Sequence, residues 1–242
     1  MKKFLFIFLI LTISLSAQSP LLLLFDDDEA LYPPVLDDTN TVLWVASDEN
    51  VTKDGSDFVS VWGDKSGQDN DLLQAVGASQ PLWSTDGILF DGTDDFMKAV
   101  AFTLEQPEQI YIVFKQITST LFDRVFDGDA NDSGVLSQQI APPILELYAG
   151  SAIPTTNHLP LDAFGILRCL FNGSSSKLIV NDTAPITGDV GTADMGGFTL
   201  AAQGSPNRFG HIQVKEVIVR KVADSASDEQ FIYDYLEAKY GL

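Results

Sequence analysis

From Thr41 onward the chain reads as short apolar runs broken by turn residues. Val42 to Val45, Ile88 to Phe90, Ile110 to Phe114, Ile144 to Tyr148, Gly165 to Phe171, Lys177 to Val180, Phe198 to Ala201 and Ile212 to Arg220 are the predicted strands. Asp86-Gly87 and Asp91-Gly92 bound one of them, and Asn172-Gly173 predicts a hairpin turn with positive φ. No helical stretches intervene, so the pattern predicts an antiparallel sandwich or jelly roll rather than a parallel α/β sheet. One short helix is predicted at the C-terminal end. Ser227 with Gln230 three residues later reads as a capping box, Ile232, Tyr235, Leu236 and Tyr240 recur at helical spacing, and Gly241 stands where a C′ glycine belongs. This helix is expected to pack across one end of the sandwich.

The first 40 residues follow other rules. Lys2 and Lys3, the apolar run Phe4 to Leu15, and the small residues Ser14, Ser16, Ala17 and Ser19 predict a secretory signal over residues 1–17. Leu21 to Phe25 resumes the apolar run, so residues 4–25 are also long enough for an uncleaved anchor, the one expected route to a membrane. Residues 18–40 read as a linker, with the acidic run Asp26 to Glu29 and then Pro33-Pro34, which disfavours regular structure. Residues 41–242 remain as one domain, a size that a single sandwich fills. Either reading of the N-terminus places that domain outside the cytoplasm, secreted or in the cell envelope, with a virion as the alternative address.

Charge narrows the partners. The 242 residues carry 34 acids against 14 bases, a net charge of −20. Phosphate affinity needs clustered Lys and Arg, so a nucleic-acid role is excluded, as is adsorption to an anionic membrane. Neutral sugars, cations and protein partners stay open. The single cysteine, Cys169, excludes an internal disulfide and a cysteine-based zinc site, and its mid-strand position predicts a buried packing thiol. His158 and His211 have no nucleophile motif beside them.

Several stretches together resemble a family. Trp62-Gly-Asp-Lys-Ser-Gly-Gln-Asp-Asn-Asp-Leu72, Gln80-Pro81 and Ile88-Leu-Phe-Asp-Gly-Thr-Asp-Asp-Phe96 look like the opening of laminin G-like, concanavalin A-like lectin/glucanase domains of secreted bacterial and phage proteins. Leu145 to Gly150, Phe171-Asn-Gly173, Leu178 to Asn181, Phe209-Gly210 and Tyr235 to Leu242 continue the likeness. The resemblance implies an all-β, concanavalin A-like jelly-roll sandwich of antiparallel strands over residues 41–242. It implies no one activity, because this superfold hosts lectins, glycosidases, adhesion modules and virion parts.

Candidate chemistry is sparse. A glycosidase needs two carboxylates flanking its bond. Glu105 and Glu108 straddle Pro107, and Glu146 and Glu216 each stand alone on their strands, so no pair is expected. Asp127, Asp129, Asn131 and Asp132 place oxygens at near-alternate positions and are the calcium candidates; no other cofactor is implied. Asp91, Asp94 and Asp95, and the acids between Asp64 and Asp71, are further cation candidates. For sugar binding, Trp83 and Tyr148 offer rings, and Asn207, Arg208 and Phe209 lie in a Gly/Pro-flanked loop. These observations lead to the expectation of a non-catalytic extracellular binding module, not an enzyme, that recognises a glycan or another surface polymer. The alternative is a structural or adhesion component of a virion, such as a phage tail, fibre or capsid decoration. Its N-terminal segment would then dock into other copies or other virion proteins. A glycoside hydrolase is the remaining alternative.

Overall fold

A computed structural model describes residues 32–139, 143–153 and 158–242. The expected signal or anchor, 1–17, lies outside these residues, as does most of the expected linker. The compact unit begins at Tyr32. Residues 32–40 pack onto it: the Tyr32 ring meets Trp44 edge-on at 4.9 Å, and Leu36 is buried. Pro34 opens a single 3₁₀ turn, Pro34–Asp37, where a missing amide hydrogen costs nothing. Asp38 then meets the Arg220 guanidinium at 3.2 Å.

In chain order the strands are β1 (Thr41–Ala46), β2 (Val51–Lys53), β3 (Val59–Trp62), β4 (Leu72–Leu73), β5 (Leu82–Ser84), β6 (Gly87–Asp91), β7 (Met97–Lys98), β8 (Glu108–Gln116) and β9 (Arg124–Asp127). They continue as β10 (Val135–Gln139), β11 (Ile144–Tyr148), β12 (Ala152–Ile153), β13 (Gly165–Phe171), β14 (Ser176–Val180), β15 (Ile186–Gly188), β16 (Thr199–Leu200) and β17 (His211–Arg220). Among the described residues one α-helix, α1, spans Ala226–Tyr240. The expected all-β architecture is present. All the strand pairings of the two sheets are antiparallel. The first sheet runs β15-β14-β13-β8-β17-β6-β5, with β1 also on β17; the second runs β12-β11-β10-β9-β16-β7-β4-β3-β2.

The long strand β17 explains the branch. One flank pairs with β8 over Ile212 to Arg220. The other flank holds β6 against His211 to Val214 and β1 against Glu216 to Arg220, and the β8 pairing shifts register between Val214 and Glu216. Val42, Leu43, Ile88, Phe90, Ile110, Ile112, Phe114, Phe126, Leu136, Leu145, Leu147 and Phe198 belong to the core between the sheets.

The helix does not lie across one end of the sandwich. It covers the outer face of the first sheet, where Ile232, Tyr233 and Leu236 form a second core with Trp44, Tyr111, Val113, Ile166 and Ile218. This is why β8 and β13 are apolar on both faces: Ile110, Ile112 and Phe114 serve one core, Tyr111 and Val113 the other. The helix also starts earlier than expected. Ser225 is the N-cap and accepts the Asp228 amide at 3.2 Å; Ser227 lies inside the first turn. Gly241 closes the helix in the left-handed region, as the sequence predicts. Among the described residues, no helix is long and apolar enough to cross a membrane.

Candidate functional site

The register of the second sheet assembles the site. Ser137 of β10 stands opposite Glu146 of β11 on one side and Arg124 of β9 on the other. The flanking Val125, Leu136, Leu145 and Leu147 belong to the inter-sheet core. Arg124, Ser137 and Glu146 therefore form a row across three strands on the opposite, outward face, each step about 4.8 Å. The register shift between β9 and β10 accommodates Val125 as one extra residue, and such a bulge re-aims the side chains beside it. Tyr148 follows Glu146 two positions along β11, on the same face, and pairs with Ala152.

These groups line a cavity of about 250 Å³ with Phe122, Asp132 and Arg208. Gly210 brings the Arg208 loop in: a Cβ there would lie 2.2 Å from the Arg124 carbonyl oxygen. The Arg124 amide donates to the Arg208 carbonyl at 2.9 Å, and the Phe122 amide donates to the Gln138 carbonyl at 2.9 Å. Phe122, Asp132 and Arg208 all have positive φ, at 67°, 62° and 53°. For Phe and Arg this is an unusual backbone state, and such states gather at ligand sites.

Arg124 is 4% exposed. It donates to the Phe122 carbonyl at 3.1 Å and to the Asp132 carboxylate at 2.5 Å, yet its Nε has no partner among the described residues. Ser137, 1% exposed, likewise has an unpartnered hydroxyl. Two buried polar groups left open in one cavity are groups that a ligand or water would satisfy. Burial pushes the Glu146 carboxyl above its ordinary value, and the Arg124 charge opposes the push. Among the described residues no hydrogen bond or ion pair engages the Glu146 carboxylate.

Of the residues singled out in the sequence, the cavity unites Tyr148, Arg208 and Asp132, and adds Glu146 to them. Trp83 lies on β5, in the other sheet. Its indole donates to the Ser47 carbonyl at 2.8 Å, and Lys53 sits 3.4 Å over its ring. Asn207 is exposed and donates to the Ser205 carbonyl at 3.0 Å. Phe209 packs against Phe96 at 6.3 Å. The remaining oxygens of the Asp127 loop have protein partners. Asp127 accepts the amides of Gly128, Asp132 and Ser133 at 2.8–3.1 Å, Asp129 pairs with Lys98 at 2.9 Å, and Asn131 accepts the Ser205 amide at 2.6 Å. Three acids do come within ligating distance of one another, Asp91, Asp94 and Asp95, but Asp91 and Asp95 accept amides of their own turn and Asp94 accepts the Ser79 hydroxyl at 3.3 Å. A larger, open hollow of about 680 Å³ lies among the loops of Gln106, Asn172 to Ser175, Asp189 and Asp194 and holds none of the expected site residues.

Arg124 and Ser137 are not marked by sequence pattern. Their strands are legible, but the register that sets them beside Glu146 is not. The scarcity of arginine is the one signal that points to Arg124.

No family model matches the chain, and no curated protein does. Solved structures do. The Trypanosoma rangeli sialidase superposes with a TM-score of 0.61 at 13% identity, over 84% of this chain and 34% of the sialidase. Domain 4 of a GH43 extracellular arabinanase from Geobacillus stearothermophilus, solved with arabinotriose, matches with a TM-score of 0.54 at 13% identity, over 80% of this chain and 97% of that domain. An arabinofuranosidase solved with arabinofuranosyl-α-1,2-xylobiose matches at 0.55 and 11%, over 75% and 51%. This chain thus spans about a third of the sialidase. The expectation of a non-catalytic module, with a virion component as its alternative, is corrected by these matches, because the neighbours are glycosidases and a glycosidase domain. The expectation that the chain is not an enzyme falls with it. At these identities the likeness establishes the fold: an antiparallel β-sandwich shared with proteins that act on or bind carbohydrate. The narrower laminin G-like assignment has no family match behind it.

Proposed function

We propose that this chain engages carbohydrate in the cavity formed by Arg124, Ser137, Glu146, Tyr148 and Arg208, as an extracellular sandwich domain of glycan processing. The observation that carries the reading is the cross-strand row with its two open polar groups, Arg124 Nε and Ser137 Oγ, on rigid strands. A sugar presents hydroxyls at just such spacing, and the Tyr148 ring beside the row suits its apolar face. The carbohydrate ligands of the fold neighbours support the same reading.

One observation favours catalysis at this cavity. Glu146 and Asp132 bring two carboxyls to it. Burial raises the Glu146 carboxyl above its ordinary value, whereas Asp132 accepts the Arg124 guanidinium. Two carboxyl groups in one cavity are the minimum that glycoside hydrolysis needs.

The test is a glycan array with the full chain, followed by calorimetry and by mass spectrometry of the ligand after incubation. Tyr148→Ala is expected to weaken binding by about tenfold, the worth of one lost ring platform. Glu146→Gln is expected to retain binding while abolishing any cleavage product. Unchanged affinity in both Tyr148→Ala and Ser137→Val would place the ligand elsewhere.

A further inference from the structure

Resting on that reading of the cavity, we propose that the sugar it accepts is acidic, with the ligand carboxylate held by the guanidinium of Arg208 at the rim and by Arg124 behind it.

The chain spends its arginines sparingly. It has four, and two are consumed by the fold. Arg220 pairs with Asp224 at 2.9 Å and Asp38 at 3.2 Å, and Arg168 donates to the Asn181 carbonyl at 2.8 Å beside Glu229. The other two, Arg124 and Arg208, line one cavity. In a chain of charge −20, two guanidinium groups in 250 Å³ are a concentration that the average composition does not supply.

Arg208 is free to bind. Its guanidinium lies 5.2 Å from the centroid of the Phe122 ring, and it makes no ion pair among the described residues. A cation over a ring face spends none of its N–H donors on that contact, so the fork stays available. That fork matches a carboxylate in bidentate fashion. Arg124 adds its unpartnered Nε from a nine-tenths buried position. The acids facing these groups are Asp132, already paired with Arg124, Glu146 from β11, and Asp123, next to Arg124 in the chain. Burial raises the carboxyls of both Asp123 and Glu146 above their ordinary values, and the arginine charges oppose the rise. A neutral sugar would leave the Arg208 fork without an ionic partner.

Matched ligands separate the charge preference from sugar binding itself. Oligogalacturonate, alginate oligosaccharides and glucuronoxylan oligosaccharides are each titrated into the full chain beside the carboxyl-reduced form of the same length and linkage. At least one acidic member is expected to bind about tenfold or more tighter than its reduced partner, the worth of a charged hydrogen bond. Arg208→Met is expected to weaken the acidic form far more than the reduced form and so erase most of that difference; Arg208→Lys restores part of it. Melting curves confirm that each variant is folded. Equal or better binding of the reduced forms would overturn the acidic preference and leave the cavity reading standing. An equal loss of both forms in Arg208→Met would also overturn it. Binding of neither member of any pair would overturn the cavity reading and this inference together.

Discussion

Glu108 is fully buried, with one carboxylate oxygen accepting the Met195 amide at 2.7 Å and the other without a partner among the described residues. Burial pushes its carboxyl up to about 8; the Met195 amide opposes this and the nearby negative charge of Asp194 adds to it. The folded protein therefore holds Glu108 protonated at neutral pH, while the unfolded chain ionises it near 4.5. Because the folded value is the higher one, this contribution to stability is complete below about pH 4.5 and is lost as pH rises through about 8. The loss is about 1.4 kcal/mol for each pH unit between the two values. Asp95, raised by burial to about 6, contributes with the same sign over a narrower window. Denaturant titrations of Glu108→Gln and the parent at pH 5, 7 and 9 test this: the stability gap between them should shift in the variant's favour as pH rises. A pH-independent gap would show Glu108 ionised in the fold.

The same scale shows what a single residue's surroundings hide from its sequence. Asp127 begins a spacing that suits calcium, and an identical spacing serves a loop whose carboxylate gathers backbone amides. Glu216 reads as a lone acid, yet it accepts Trp44 Nε1 at 2.6 Å, the Tyr235 and Tyr240 hydroxyls at 3.0 and 2.6 Å, and Lys239 at 2.8 Å. It joins helix to sheet from a fully buried position. Tyr148 and Arg208 could be singled out in the sequence because a ring or a cation at a strand end or loop has few bland roles in so acidic a chain, and both line the cavity.

At the scale of elements, the strands and the hairpin at Asn172-Gly173 follow from local signals, and Gly173 has the positive φ of 51° that the turn needs. The helix is legible, but its cap is displaced by two residues because Ser225 and Ser227 both present a hydroxyl three residues before a polar side chain. Ser225→Ala is expected to cost about 1 kcal/mol in denaturant titrations, and Ser227→Ala only a few tenths. The reverse order would move the helix start to Ser227. Gly210 sets a second element-scale constraint. Its alanine variant must push the 207–210 loop away from β9, with a cost of about 1–3 kcal/mol for overpacking. Weaker glycan binding should accompany the lower stability, because Arg208 moves with the loop.

The unit from Tyr32 to Leu242 has three layers, the second sheet, the first sheet and the helix. The sequence recorded the middle layer's double burial as density of apolar residues without naming what covers it. The 34 acids outnumber their possible partners, so self-repulsion opposes the compact state. Raising sodium chloride from 10 to 150 mM shortens the Debye length from about 30 to 8 Å. A gain of ~1 kcal/mol, about 2–4 °C in Tm for a chain of this size, is the expected response. A flat melting temperature would mean that local ion pairs already neutralise the field.

Strand β17 holds β8 on one side and both β1 and β6 on the other, so one segment near the C-terminal end closes the first sheet from three directions. Ribosomes deliver that segment after every partner it must join. Until it emerges, β1, β6 and β8 present unpaired backbone and apolar side chains, and the contacts that finally form span much of the chain, as Trp44 with Glu216 does at a separation of 172 residues. Such topology folds slowly, and the first sheet cannot close before β17 has been made. The nascent chain therefore carries open strand edges, the sites where wrong pairings start, until that strand arrives.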